Sequence, residues 1–181
     1  MYSCLSQIGY DLFSVLVFYL VSKEKVMAIA LTLQEFLDWE EVKYTVIKHP
    51  FTLTSLNTAE AAHIPADHLA KTVLLVDEEG FVMVVVPADQ HVDVDRLRKI
   101  YNRRFTLASE QEIEELFYDC EQGAIPALGE AYGFEMLVDD KLLLENEDIY
   151  IEGGDHCALI RLNGSDFQQL MSHAEHGHFC H

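Results

Sequence analysis

Residues 72–86 read Thr-Val-Leu-Leu-Val-Asp-Glu-Glu-Gly-Phe-Val-Met-Val-Val-Val, two runs of branched and aromatic side chains divided by Asp77-Glu-Glu-Gly80. Such residues suit a pleated sheet, and an acidic turn closed by glycine between two of them predicts a β-hairpin. Each run is apolar at successive rather than alternate positions. Both faces of the hairpin are therefore expected to be covered, which places it at the centre of a sheet.

The flanking segments are more varied. Val42 to Lys48 alternates Val42, Tyr44 and Val46 with polar partners and stops at His49-Pro50, the pattern of a half-buried strand. Ahead of it, Thr32-Leu-Gln-Glu35 has capping-box spacing and predicts a helix over 32–40 with Leu33, Phe36 and Leu37 on one face. A second helix is expected from Asn57, with Asn57 and Glu60 at capping spacing, ending at Ile64-Pro65. Beyond the hairpin, Asp93 caps a helix over 93–101, and Ser109-Glu-Gln-Glu112 is a capping box ahead of Ile113, Leu116 and Phe117. A loop from Gly123 to Gly129 precedes strands expected over 134–138, 148–152 and 157–162, and a closing helix begins near Ser165. Helices and strands do not alternate strictly. The order predicts an α+β domain, a mixed and largely antiparallel central sheet flanked by helices.

The chain has 181 residues, 31 acidic against 12 basic, and a formal net charge of −19. Half its residues are apolar, which provides a core for one domain and excludes a wholly disordered chain. The acidity argues against coating DNA, because phosphate binding needs a basic face. Residues 1–104 hold 14 acids and 10 bases, whereas 105–181 hold 17 acids and 2 bases. The run Leu12 to Val21 is too short to span a bilayer and lacks the basic flank of a secretory signal. No stable membrane association is expected. Residues 1–26 are read as a leader foreign to the domain or an extra helix packed on it, residues 27–172 as the domain, and the tail His173 to His181 as disordered. Scattered cysteines without metal-ligand spacing point to free thiols in a reducing cytoplasm.

No familiar catalytic motif occurs, so single residues carry the search. Lys71 precedes the first apolar run, and no other Lys or Arg lies between Lys48 and Arg96, so this cation dominates the local potential met by an anionic ligand. Its bland reading is a solvated lysine at a strand end. Gly123 to Gly129 has glycines at both ends and Pro126 inside; it is either a plain turn or a path that turns backbone N–H groups outward to hold an oxygen. His156, after Glu152-Gly-Gly-Asp155, and His49 are strand-end histidines able to face a cleft. Arg96, Arg98, Lys99, Arg103 and Arg104 form the one basic cluster, available for salt bridges within the fold or for a phosphodiester backbone.

Several of these segments occur together and in order in a known family. His49, Thr58-Ala-Glu-Ala-Ala62, Leu69-Ala-Lys71-Thr-Val, Val86-Pro-Ala-Asp89, Val92-Asp-Val-Asp-Arg-Leu97 and Cys120-Glu-Gln-Gly-Ala-Ile-Pro126 resemble the YbaK-type aminoacyl-tRNA deacylases, relatives of the editing domain of bacterial prolyl-tRNA synthetase. The resemblance implies hydrolysis of the ester on a mischarged tRNA, bound by its 3′ acceptor end, with no cofactor or metal. It implies that Lys71 positions the tRNA terminus and that Gly123, Ala124, Ile125 and Pro126 hold the substrate carbonyl. Thr72, His156 and His49 would complete the substrate pocket, and the basic cluster would touch tRNA. The substrate's own 2′-hydroxyl would assist the attacking water. Ala127-Leu128 departs from the Pro-Phe of many relatives, and a catalytically silent aminoacyl-binding module of the same fold stands as the alternative.

Overall fold

The computed structural model describes residues 29–144 and 148–181; the leader and its apolar run lie outside them. In chain order the elements are α1 Leu31–Trp39, β1 Tyr44–Lys48, α2 Ser55–Ala61, β2 Leu69–Asp77, β3 Gly80–Pro87, α3 Val94–Tyr101, β4 Thr106–Leu107 and α4 Glu110–Leu116. There follow β5 Glu135–Asp139, α5 Asp140–Leu143, β6 Asp148–Glu152, β7 Ala158–Asn163, α6 Gly164–Leu170 and β8 Glu175–Gly177. The strands form a single mixed sheet in the order β1-β7-β6-β2-β3-β5-β8, with β4 also on β2. The hairpin stands in the middle, as its two apolar runs require. Met83 and Val85 point into one core with Leu33, Leu37 and Phe167, while Val82, Val84 and Val86 point into another with Leu97 and Phe105.

The β2–β6 pairing positions the site. These strands run parallel, but only Leu69↔Tyr150 and Ala70↔Ile151 are matched before they part. Lys71 and Thr72 follow on one side of the split, and Glu152 with the turn 153–156 on the other. The loop 120–124 borders that turn, its Glu121 N–H donating to Gly154 O at 2.8 Å.

Some expected details differ. The Thr32–Glu35 capping box is absent: α1 starts after Ala30, which makes no side-chain cap, and the Thr32 N–H donates instead to Asp119 Oδ2 at 2.8 Å. Helix α2 begins at Ser55 and is capped by Thr54, not by Asn57. The tail is ordered, contrary to expectation. Strand β8 adds to the free edge of β5, Phe179 enters the core, and Asp139 Oδ2 accepts from the N–H groups of Phe179 and Cys180 at 2.7 and 3.1 Å. An unpaired strand edge, one aromatic side chain and a buried acceptor together fix it. Among the described residues no helix is long and apolar enough to cross a membrane.

Candidate functional site

A cleft of about 370 Å³ opens where β2 and β6 part, lined by Leu53, Thr54, Ser55, Leu56, Lys71, Thr72, Ala88, His91 and Gly123. Two segments distant in sequence thus bring Lys71, Thr72 and Gly123 together. Lys71 is half-buried, and its Nζ donates to Gln90 O at 2.5 Å and Ala88 O at 3.3 Å. An ammonium has three N–H donors, so one remains for a ligand. Burial lowers the Lys71 pKa from its usual 10.5, against the opposing charge of Asp89. Beside it, Thr72 Oγ1 is buried without a hydrogen-bond partner among the described residues. A buried hydroxyl left in that state is costly, and a ligand would relieve it.

Gly123 adopts φ +87°, a left-handed conformation that glycine takes without steric cost. A Cβ there would meet only the His156 ring, at 3.6 Å and beyond, so the backbone rather than space calls for glycine. The Ala124 N–H is turned inward and donates to Glu121 O at 2.9 Å, so Ala124 does not offer its amide to the cleft, as the resemblance implied. The amides of Gly123 and Ile125 carry no hydrogen bond among the described residues. Ala124 and Ile125 are buried in the core, and with Pro126 they lie outside the cleft lining.

The two histidines stand behind the cleft. His156, at φ +60°, donates from Nε2 to Gln122 O at 2.7 Å and packs edge-on to the Phe51 ring. It therefore buttresses the residue before Gly123. His49 is buried at the end of β1, its Nδ1 on Pro50 O at 2.9 Å and its Nε2 unpaired among the described residues.

The basic cluster divides. Arg96, Arg98 and Lys99 lie on α3, where Arg98 pairs with Asp95 at 2.8 Å and donates to Phe105 O. Arg103 is held by Asp77 at 2.6 Å and Glu135 at 3.0 Å, which makes it a structural ion pair. Its guanidinium holds the Asp77 carboxyl down at about 2. Arg103 and Arg104 sit beside the hairpin turn, six residues along β2 from Lys71, a span of roughly 20 Å. The tRNA contact expected of Arg103 is thus replaced by the salt bridge, the first of the two readings of that cluster.

Sequence reasoning missed the cleft wall from Leu53 to Leu56, and His91. Nothing marks Leu53 and Leu56 as functional except that both stay largely exposed in an apolar chain. Among the described residues no group of three or more His, Cys, Asp or Glu side chains could hold a metal ion.

Solved structures share the fold. A hypothetical protein designated APE2540 matches with a TM-score of 0.70 and 20% identity, over 83% of this chain and 99% of its own. A proposed trans-editing enzyme for prolyl tRNA synthetase matches with a TM-score of 0.72 and 21% identity, over 84% and 96%. A protein from Marinobacter aquaeolei VT8 assigned to signal transduction matches at 0.67 and 20%, over 83% of this chain but 30% of its own. No curated protein matches significantly. The family model for the aminoacyl-tRNA editing domain matches residues 49–170, about two thirds of the chain and every residue of the cleft. The chain belongs to the aminoacyl-tRNA editing domain family.

Proposed function

We propose that the protein is a trans-editing deacylase that hydrolyses the ester between a wrongly attached amino acid and the 3′ end of a tRNA. The observation that carries the reading is the convergence of Lys71, Thr72 and left-handed Gly123 on one cleft inside the segment matched by the editing family. Attack on an ester carbonyl builds negative charge on its oxygen. A preorganised donor at that point is worth about 10²–10³ in rate, and the Gly123 N–H, without a hydrogen bond among the described residues, is suited to the task. The third N–H of Lys71 binds the sugar–phosphate oxygens of the terminal nucleotide, and the Thr72 hydroxyl takes a polar group of the aminoacyl ester. Ser55 and His91 both line the cleft, but no hydrogen bond joins them among the described residues. Water is the nucleophile in this reading, assisted by the neighbouring 2′-hydroxyl of the substrate, as the family resemblance implies.

The test is a panel of mischarged tRNAs treated with native protein and Lys71→Ala. Loss of ester from at least one member, much reduced in the variant, is expected. Activity on none, or activity undiminished by Lys71→Ala, refutes the reading; saturable binding without turnover would mark a silent binding module instead.

A further inference from the structure

Behind the cleft, buried polar side chains join its helical wall to the turn that backs the Gly123 loop. Thr58 Oγ1, on α2, has three oxygen neighbours: Thr52 Oγ1 at 2.8 Å, Thr54 O at 3.0 Å and Glu152 Oε1 at 3.4 Å. A hydroxyl carries one proton, and a carbonyl oxygen only accepts. Thr58 can give that proton to Thr54 O, which also takes its N–H, or to Glu152; the shorter distance favours Thr54 O, and Thr52 then donates to Thr58. In that arrangement the contact with Glu152 is attractive only if the carboxyl supplies the hydrogen.

The surroundings favour the same state. Glu152 is buried, and its Oε2 has no hydrogen-bond partner among the described residues. Neighbouring Asp155 accepts from the N–H groups of Cys157 and Ala158 at 2.9 Å each, both on Oδ1, and its Oδ2 is likewise without a partner among the described residues. Two adjacent buried carboxylates cannot both ionise cheaply.

We propose that Glu152 keeps its proton in the folded protein and is a positioning residue for the cleft. Its O–H, donated to Thr58, ties α2 and the wall from Leu53 to Leu56 to the turn 153–156 that seats Gly123. The effect on turnover rests on the deacylase reading. Burial pushes the Glu152 carboxyl up to about 7, with a hydrogen bond donated by Thr58 opposing it and the charge of Asp155 adding to it. Other titratable groups on the surrounding elements are otherwise engaged or turned away. His156 is bonded to Gln122 O, Lys71 to the carbonyls of Ala88 and Gln90, His49 to Pro50 O, and Glu60 on α2 is exposed. When pH rises through the Glu152 titration, the Thr58 contact loses its hydrogen and α2 loosens from the turn.

The experiment compares native protein, Glu152→Gln, Thr58→Ser and Thr58→Val from roughly pH 6 to 8.5 by three readouts: the 13C titration of labelled glutamate carboxyls, hydrogen exchange of α2 amides corrected for intrinsic rate, and deacylation KM and kcat. One carboxyl is expected to titrate near 7 in native protein and to vanish in Glu152→Gln. Exchange in α2 should quicken about tenfold across the range in native protein and Thr58→Ser, stay level in Glu152→Gln, and be fast throughout in Thr58→Val. KM should rise about threefold over the same range with kcat unchanged, and only where Glu152 and the Thr58 hydroxyl are both present. A Glu152 carboxyl titrating below 5, or native pH dependence of exchange retained in Glu152→Gln, overturns the inference. If Glu152→Gln does not fold, the native titration and the Thr58 pair decide. Titration and exchange as expected, with no tRNA deacylated, would overturn the deacylase reading alone and support the positioning role.

Discussion

Lys71 shows what a half-buried cation gains from its surroundings. Two carbonyls fix its direction, so the remaining N–H is aimed rather than free to swing. Lys71→Ala should lower kcat/KM by about 10²-fold, and Lys71→Arg should rescue little, because a planar guanidinium cannot reproduce that three-way geometry. Gly123→Ala should cost about tenfold in activity and lower Tm by a few degrees, because the positive-φ backbone is strained by a Cβ even though there is space for the methyl. Single-turnover deacylation beside thermal melts would check all three. Two carboxyls act in opposite senses on stability. Asp77, held down at about 2 by Arg103, stabilises the fold above its unfolded pKa near 3.8, and that support is lost as pH falls toward 2. Glu152, raised to about 7 from 4.5, favours the fold fully below 4.5 and loses that advantage as pH rises through 7. Above pH 7 the burden is about 3 kcal/mol, so Glu152→Gln should be more stable than native protein at pH 8 and indistinguishable near pH 4.5. Urea unfolding at the two pH values measures this.

Elements whose signals are local were legible in the chain. The hairpin of β2 and β3, the Asp93 cap and the Ser109–Glu112 capping box depend on residues within a few positions of one another, and all three form. Elements completed from afar were not legible: the start of α1 is satisfied by Asp119, and β8 exists because Asp139 and the β5 edge receive it. In the site, Lys71, Thr72 and Gly123 were singled out before the fold brought them together. Arg103 could not be told from its neighbours in the basic cluster, since only the return of the chain past the hairpin shows Asp77 and Glu135 waiting for it. Since β8 is held by one aromatic anchor and one carboxylate, Phe179→Ala should cost about 3 kcal/mol. Asp139→Ala, by stranding two amides, should cost about 2 kcal/mol and raise exchange in 175–181. Chemical denaturation with exchange mass spectrometry would show whether the strand frays before the rest.

Over the whole molecule, charge sets the limits of nucleic-acid binding. At −19, with Arg103 engaged internally, few cations remain to neutralise phosphate: Lys71 in the cleft, Lys43 and Lys48 on or beside β1, and Arg96, Lys99 and Arg104 on or after α3. Binding of tRNA should be weak and lost between about 50 and 200 mM salt, with each effective phosphate contact adding close to one to the slope of log K against log salt. Removing Lys99 should lower that slope, whereas Arg103→Ala should lower stability and leave the slope unchanged; fluorescence titrations at several salt concentrations distinguish the two. Long duplex DNA should not be retained at any of them. The short β2–β6 pairing has a mechanical consequence. Strands β1, β7 and β6 form one leaf and β2, β3, β5 and β8 another, joined along the backbone by a two-rung spine and otherwise by interleaved apolar side chains from both leaves. Packing of that kind resists separation more than it resists sliding. Any shear between the leaves would turn about this spine, and in the proposed complex a tRNA end touching Lys71 on one leaf and the Gly123 loop seated against the other would act as a third rung, pinning the book shut.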